Sequence, residues 1–211
     1  MNKYITEFVG TFFLVFAVGM ASLSGSSLTP VIIGSMLMVM VYMGGHISGA
    51  HYNPAVTLGV FLRGKAEAKD VVPYIIAQIA GALAASAIVY WLLGKPFGPA
   101  PGEGVGTWQA LGAEMLLTFA LTLVILNVAT TKKTEGNSYY GLAIGFTVTA
   151  GAATVGGISG GAFNPAVGTG PLLMGAIVGD GSLSNLWMYW VGPIVGALAA
   201  VLVFKLQCPD E

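Results

Sequence analysis

The sequence predicts an all-α membrane protein: six transmembrane helices plus two re-entrant half-helices, arranged as inverted three-helix repeats. Three observations predict it, namely an extreme composition, six apolar runs of spanning length and a duplicated Asn-Pro-Ala-Val box. Of 211 residues, 55% are hydrophobic and 8% charged, far from the averages of soluble globular chains. A helix needs about 20 residues to cross ~30 Å of hydrocarbon. Apolar runs suited to this lie at Tyr4 to Leu23, Pro30 to Gly45, Val71 to Leu93, Trp108 to Val128, Tyr139 to Gly157 and Leu186 to Leu206. They consume most of the chain and leave no space for a water-soluble catalytic domain between them. Function must therefore lie inside the bundle.

The first run could be read as a signal peptide cleaved after "AVGMAS", but Glu7 interrupts its apolar core and the run has a partner in the second half. A single cysteine, Cys208, excludes a disulfide framework and a Cys-based metal site. The net charge of -1 names no partner, nucleic acid included. Its distribution is more informative. Lys3, Arg63, Lys65, Lys69, Lys132, Lys133 and Lys205 flank alternate ends of the spans, whereas the other set of loops carries only Lys95. By the positive-inside rule both termini, the 63–70 segment and the 130–138 loop are cytoplasmic, as expected of a multi-pass protein of the cell membrane.

The halves match in three places and in one order. "EFVGTFFL" from Glu7 pairs with "EMLLTFAL" from Glu114, "ISGAHYNPAV" with "ISGGAFNPAV", and "QIAGALAAS" from Gln78 with "PIVGALAAV" from Pro193. The reading is one channel domain over 1–211 containing repeats at 1–93 and 108–206. Three spans per repeat is an odd number, so the second copy enters the membrane from the opposite side. Inverted repeats of this kind place their functional site where the copies meet. The small residues of the Gly-Ala-Leu-Ala-Ala runs allow close helix packing in lipid.

The box itself has a local explanation. Asn is a good N-cap, and Pro fits the first helical position, where its missing N–H costs nothing. Asn53 and Asn164 should each begin a short helix, Pro54 to Leu62 and Pro165 to Met174, about half the spanning length. Irregular backbone before each Asn is tolerable at membrane depth only inside protein or along a wet cavity. Two helix N-termini and two Asn amides would then face one point, repelling cations. The approaches at Gly49 to Tyr52 and Gly160 to Phe163 would offer carbonyl acceptors, which describes a pore for neutral hydrogen-bonding solutes.

On these motifs the chain resembles the major intrinsic protein family, the aquaporins and glycerol facilitators, and lies nearer the aquaporin branch. The resemblance covers essentially the whole chain. It implies an aquaporin-like bundle, a pore in every subunit and a homotetramer embedded in the lipid bilayer. Carried over residue by residue, Asn53, Pro54, Ala55, Asn164, Pro165 and Ala166 are the pore boxes. Glu7 and Glu114 brace the re-entrant loops, and His51 contacts the pore wall. Tyr189 and Trp190 resemble an aromatic pair of the water-selective members.

The family's usual Arg after the second box is replaced by Val167, and the remaining filter positions fall on Ile33, Ala152 and Gly161. Losing a guanidinium removes five donors and a fixed charge. A wider mouth admits larger neutral solutes, yet an apolar ring can also dewet. The two consequences oppose each other. The expected function is a passive channel for water and small uncharged solutes such as glycerol, urea or ammonia, excluding ions. The alternative is an ion- or proton-coupled secondary transporter using Glu7 and Glu114, since intramembrane acids are functional candidates by default. No cofactor is implied. His46 and His51 lack Cys, Asp or Glu neighbours for a metal shell, and no nucleophile, base and oxyanion donor converge to make an enzyme.

Overall fold

Helix ends follow the local chemistry of the chain. The computed structural model describes residues 1–211 and contains no strand. In order the helices are α1 (Asn2–Ser24), α2 (Thr29–Ser48), α3 (Pro54–Leu62), α4 (Ala68–Leu93), α5 (Thr107–Thr130), α6 (Tyr140–Ser159), α7 (Pro165–Ile177) and α8 (Met188–Gln207), with one 3₁₀ turn at Lys132–Thr134. The six long ones are apolar enough to cross a membrane and coincide with the predicted spans.

Some boundaries differ from expectation for physical reasons. The spans expected to stop at Gly45 and Gly157 continue to Ser48 and Ser159, because both serine side chains and both serine carbonyls find partners there. The second half-helix passes Met174 and ends at Ile177. The chain stays apolar through Ile177, and Gly179, at φ 85°, is the first residue to turn it.

Helices at matching places in the sequence pack alike. α1 lies on α4 as α5 lies on α8, and α2 crosses α6. A side chain added at Gly81 would strike the Phe8 carbonyl oxygen, and one at Gly196 the Met115 carbonyl oxygen, at equivalent points of the two repeats. Gly34 and Gly145 approach each other's carbonyl oxygen in the same reciprocal way, as a two-fold axis between α2 and α6 requires. Lipid tails are as apolar as leucine, so close backbone approach of this kind supplies the dispersion energy that water would otherwise drive.

One end of the bundle gathers the basic segments. Lys3 pairs with Asp70 at the start of α4. The Glu211 carboxylate accepts from Arg63 at 3.3 Å and from the Lys132 backbone N–H at 3.0 Å. The same end holds a vestibule of about 890 Å³ lined by Lys65, Glu67, Asp70, Lys132, Asn137 and others. At the opposite end the 94–106 segment folds back over the bundle, with Pro99 and Ala100 against Gly160 and the Gly102 N–H donating to the Ile158 carbonyl at 3.0 Å.

Candidate functional site

Both Asn-Pro steps cap a helix as the residue chemistry dictates. Asn53 is extended, at φ -157° and ψ 120°, and its Oδ1 accepts from the N–H of Ala55 (2.9 Å) and Val56 (3.4 Å). Asn164, at φ -162° and ψ 116°, accepts from the Ala166 N–H at 2.9 Å. With the oxygens occupied in capping, the amide nitrogens point across the junction. Asn53 Nδ2 donates to the Phe163 carbonyl at 2.9 Å, and Asn164 Nδ2 donates to the Tyr52 carbonyl at 2.8 Å. Each loop thus locks the other by a reciprocal bond. Each Nδ2 carries two N–H groups, so one remains for the space between the loops. The half-helix dipoles direct their positive ends at the same point.

The approaches carry backbone strain that this locking has to hold. Ala50, Tyr52 and Phe163 have φ of 52°, 49° and 49°, in the left-handed region that is uncommon for residues other than Gly. Glu7 and Glu114 supply the restraint. Glu7 accepts from Ser48 Oγ (2.6 Å), the His51 N–H (3.0 Å), the Tyr52 N–H (2.7 Å) and Gln78 Nε2 (2.8 Å). Glu114 accepts from Ser159 Oγ (2.7 Å), the Ala162 N–H (3.0 Å) and the Phe163 N–H (2.6 Å). Both carboxyls are completely buried, where an unpaired loop N–H would cost about 1–3 kcal/mol.

Two tyrosines complete the brace, and sequence reasoning missed this. Tyr74 donates its hydroxyl to the Ser48 carbonyl at 2.7 Å, and Tyr189 donates to the Ser159 carbonyl at 2.6 Å. The signal was available, since each tyrosine stands four residues before the matched pair Gln78 and Pro193. Trp190 separates from its neighbour and donates to Thr169 Oγ1 at 2.9 Å.

A narrow cavity of about 30 Å³ runs through the junction, room for two or so waters at about 10–15 Å³ each. Its polar side chains are His51, Asn53 and Asn164, and the remainder is mainly aliphatic, including Leu14, Leu37, Leu121 and Val148. No charged side chain lines it. Of the two boxes only the asparagines reach the cavity, while Pro54, Ala55, Pro165 and Ala166 are buried in the half-helix starts. Of the four positions expected to form the filter, Ile33, Gly161 and Val167 line the cavity. Ala152 does not; its Cα lies 3.8 Å from where a side chain on Gly161 would begin. Val167 is only 4% exposed. His51 lines both the cavity and the vestibule, whereas His46 reaches only the vestibule.

Six spanning helices, two half-helices meeting tip to tip and an uncharged passage through their junction define a membrane channel rather than an enzyme. Coupled transport through Glu7 and Glu114 finds no support, because both carboxylates are committed to the loops and neither lines the passage. The family described as Major intrinsic protein matches residues 1–204, and the chain belongs to it. It is 38% identical to a probable NIP-type aquaporin of Nicotiana alata, over 98% of this chain and 77% of the relative. It is 36% identical to aquaporin AqpM of Methanothermobacter thermautotrophicus (97% and 96%), and 39% identical to glycerol uptake facilitator protein-like 6 of Lactiplantibacillus plantarum (100% of both). The X-ray structure of the aquaglyceroporin from Plasmodium falciparum superimposes with a TM-score of 0.87 at 25% identity, covering 99% of this chain and 97% of that one.

Proposed function

We propose that the chain conducts water and small uncharged solutes passively and excludes ions at the paired asparagines. The observation that carries this reading is the reciprocal locking of Asn53 and Asn164 across a narrow passage with no charged lining. A cation arriving there meets two helix N-termini and amide donors without a carboxylate. A neutral solute exchanges its water for Asn N–H groups and loop carbonyls. Relatives named aquaporin and glycerol uptake facilitator at almost equal identity accord with a solute range wider than water. Osmotic shrinkage of reconstituted liposomes is the test. Shrinkage no faster than that of empty vesicles would overturn the reading.

Ile33, Gly161 and Val167, with Ala152 behind Gly161, form the outer filter in this proposal, widened by the small residues and left without a guanidinium. Val167→Arg is expected to lower permeability to glycerol and urea more than to water, since it adds bulk, donors and a positive charge in a low-dielectric passage. A well-folded Val167→Arg channel with unchanged permeability to every solute would remove Val167 from the filter. The gathering of Lys3, Lys65, Lys132 and Lys133 toward one end supports that end as cytoplasmic. The family resemblance supports a homotetramer, which cross-linking in detergent would count.

A further inference from the structure

We infer that the backbone carbonyl of Val167 is a vacant hydrogen-bond acceptor in the outer part of the passage, released there by Pro171, and that it favours neutral solutes with an O–H or N–H to donate. The preference among solutes rests on the channel reading, whereas the vacancy does not.

An α-helix satisfies each carbonyl with the N–H four residues further on. Proline has no N–H, and its ring crowds the carbonyl four residues before it. Pro171 lies inside α7, so the helix has no such donor for the Val167 carbonyl. Nothing nearby takes the missing place. No backbone N–H from a turn, a loop or another helix ends on Val167. The only hydroxyl in α7, Thr169 Oγ1, donates to the Pro165 carbonyl at 2.6 Å and accepts from Trp190 Nε1 at 2.9 Å. The 94–106 segment sends its Gly102 N–H to Ile158 instead. Proline is tolerated within membrane helices where neighbouring groups or water satisfy the carbonyl it frees. With no protein donor in place, water or a solute is what remains.

The direction of the vacancy follows from the faces of α7. A side chain added at Gly168 would strike Tyr189 Cβ on α8 at 2.5 Å, and one at Gly170 the Ala82 backbone on α4 at 2.5 Å. Val167 stands between those two directions and lines the narrow cavity. Pro171 follows it by four residues, roughly 40° round the helix, so the freed carbonyl lies along the strip that faces the passage. Pro73 and Pro193 likewise free the carbonyls of Lys69 and Tyr189, but neither residue lines the cavity, and Lys69 is exposed at the start of α4. The first half-helix has Val60 at the position matching Pro171 and keeps its N–H, so the vacancy belongs to the outer half alone. A guanidinium after the second box would only donate. Here the same residue presents an acceptor. A solute meets it at Val167 and meets donors at Asn53 and Asn164, an order that suits water, alcohols, amides and neutral amines.

The experiment has two arms, both on the full chain in lipid bilayers. In the first, solid-state NMR of protein carrying ¹³C at valine carbonyls and ¹⁵N at glycine selects the Val-Gly pairs, and the signal lost in Val167→Leu identifies Val167. Magnetisation from mobile water is expected to reach that carbonyl rapidly. A Val167 carbonyl out of reach of water would overturn the inference. In the second, Pro171→Ala supplies the missing N–H. Permeation of water and urea per channel is expected to fall about fivefold, the weight of one hydrogen bond, although the smaller side chain leaves more space rather than less. Lactic acid incorporated at position 171 gives the same methyl group with an ester oxygen in place of the N–H, and is expected to restore the rate that Pro171→Ala loses. Unaltered permeation in Pro171→Ala, or an equal fall with the ester, would refute the carbonyl's part in selection. If Pro171→Ala does not fold, the wild-type spectrum still decides the vacancy. A water-contacted Val167 carbonyl in a chain that passes no water would overturn the channel reading and leave the vacancy standing.

Discussion

The two re-entrant loops occupy equivalent places in the repeats, yet they are held unequally. The first is tied to α1 through Glu7 and to α4 through Gln78 and Tyr74, while its own half-helix contributes Thr57 to the same network. The second is tied to α5 through Glu114 and to α8 through Tyr189 alone. At the position matching Gln78 it has Pro193, which offers no side-chain donor, and at the position matching Thr57 it has Gly168. Gly168 instead admits the Tyr189 side chain, whose Cβ would lie 2.5 Å from any Cβ placed there. One loop is held by a hydrogen-bond network and the other by close packing over a smaller polar brace. A duplicated fold needs symmetry only where its halves touch. The reciprocal bonds from Asn53 and Asn164 are nearly identical in length because each capping helix depends on the other.

The sharpest way to break the comparison is to remove the carboxylates. Glu7→Ala leaves four donors unpaired and Glu114→Ala three, each costing about 1–3 kcal/mol, so both should lower folded yield severely and Glu7→Ala more so. Thermal unfolding in detergent, followed by circular dichroism, measures the order. Glu114→Gln keeps an acceptor and should be milder than Glu114→Ala. Equal damage from both would mean that the charge matters rather than the bonds.

A smaller effect tests the symmetric part. Asn53→Ala and Asn164→Ala should each lose about 0.5–2 kcal/mol of capping along with one cross-loop bond, and by similar amounts. Cation or proton leakage into dye-loaded liposomes should rise in both. Unchanged exclusion would assign the ion barrier elsewhere in the passage.

The smallest effect would sharpen the asymmetric part. Pro193→Gln gives α8 a backbone N–H and a side-chain amide at the position from which Gln78 reaches Glu7. If the second brace has room for the same bond, stability should rise by about 0.5–1.5 kcal/mol. A loss would show that the packing of Tyr189 against Gly168 has already taken the space.

Much of this molecule was legible in one dimension. Spanning length and composition define the long helices, because a bilayer allows an isolated segment no other backbone arrangement. Asn followed by Pro defines the half-helix starts, because cap chemistry is local. The repeated Glu7 and Glu114 were recognisable through duplication. Some features depended on where groups separated in the sequence come to lie. Asn53 reaches Phe163, Ser48 and Ser159 extend their helices past glycine runs because Glu7 and Glu114 wait there, and Ala152 stands outside the cavity that Gly161 and Val167 line. Tertiary structure alone decided these, since a hydrogen bond between distant segments is set by angle and distance, which periodicity does not encode.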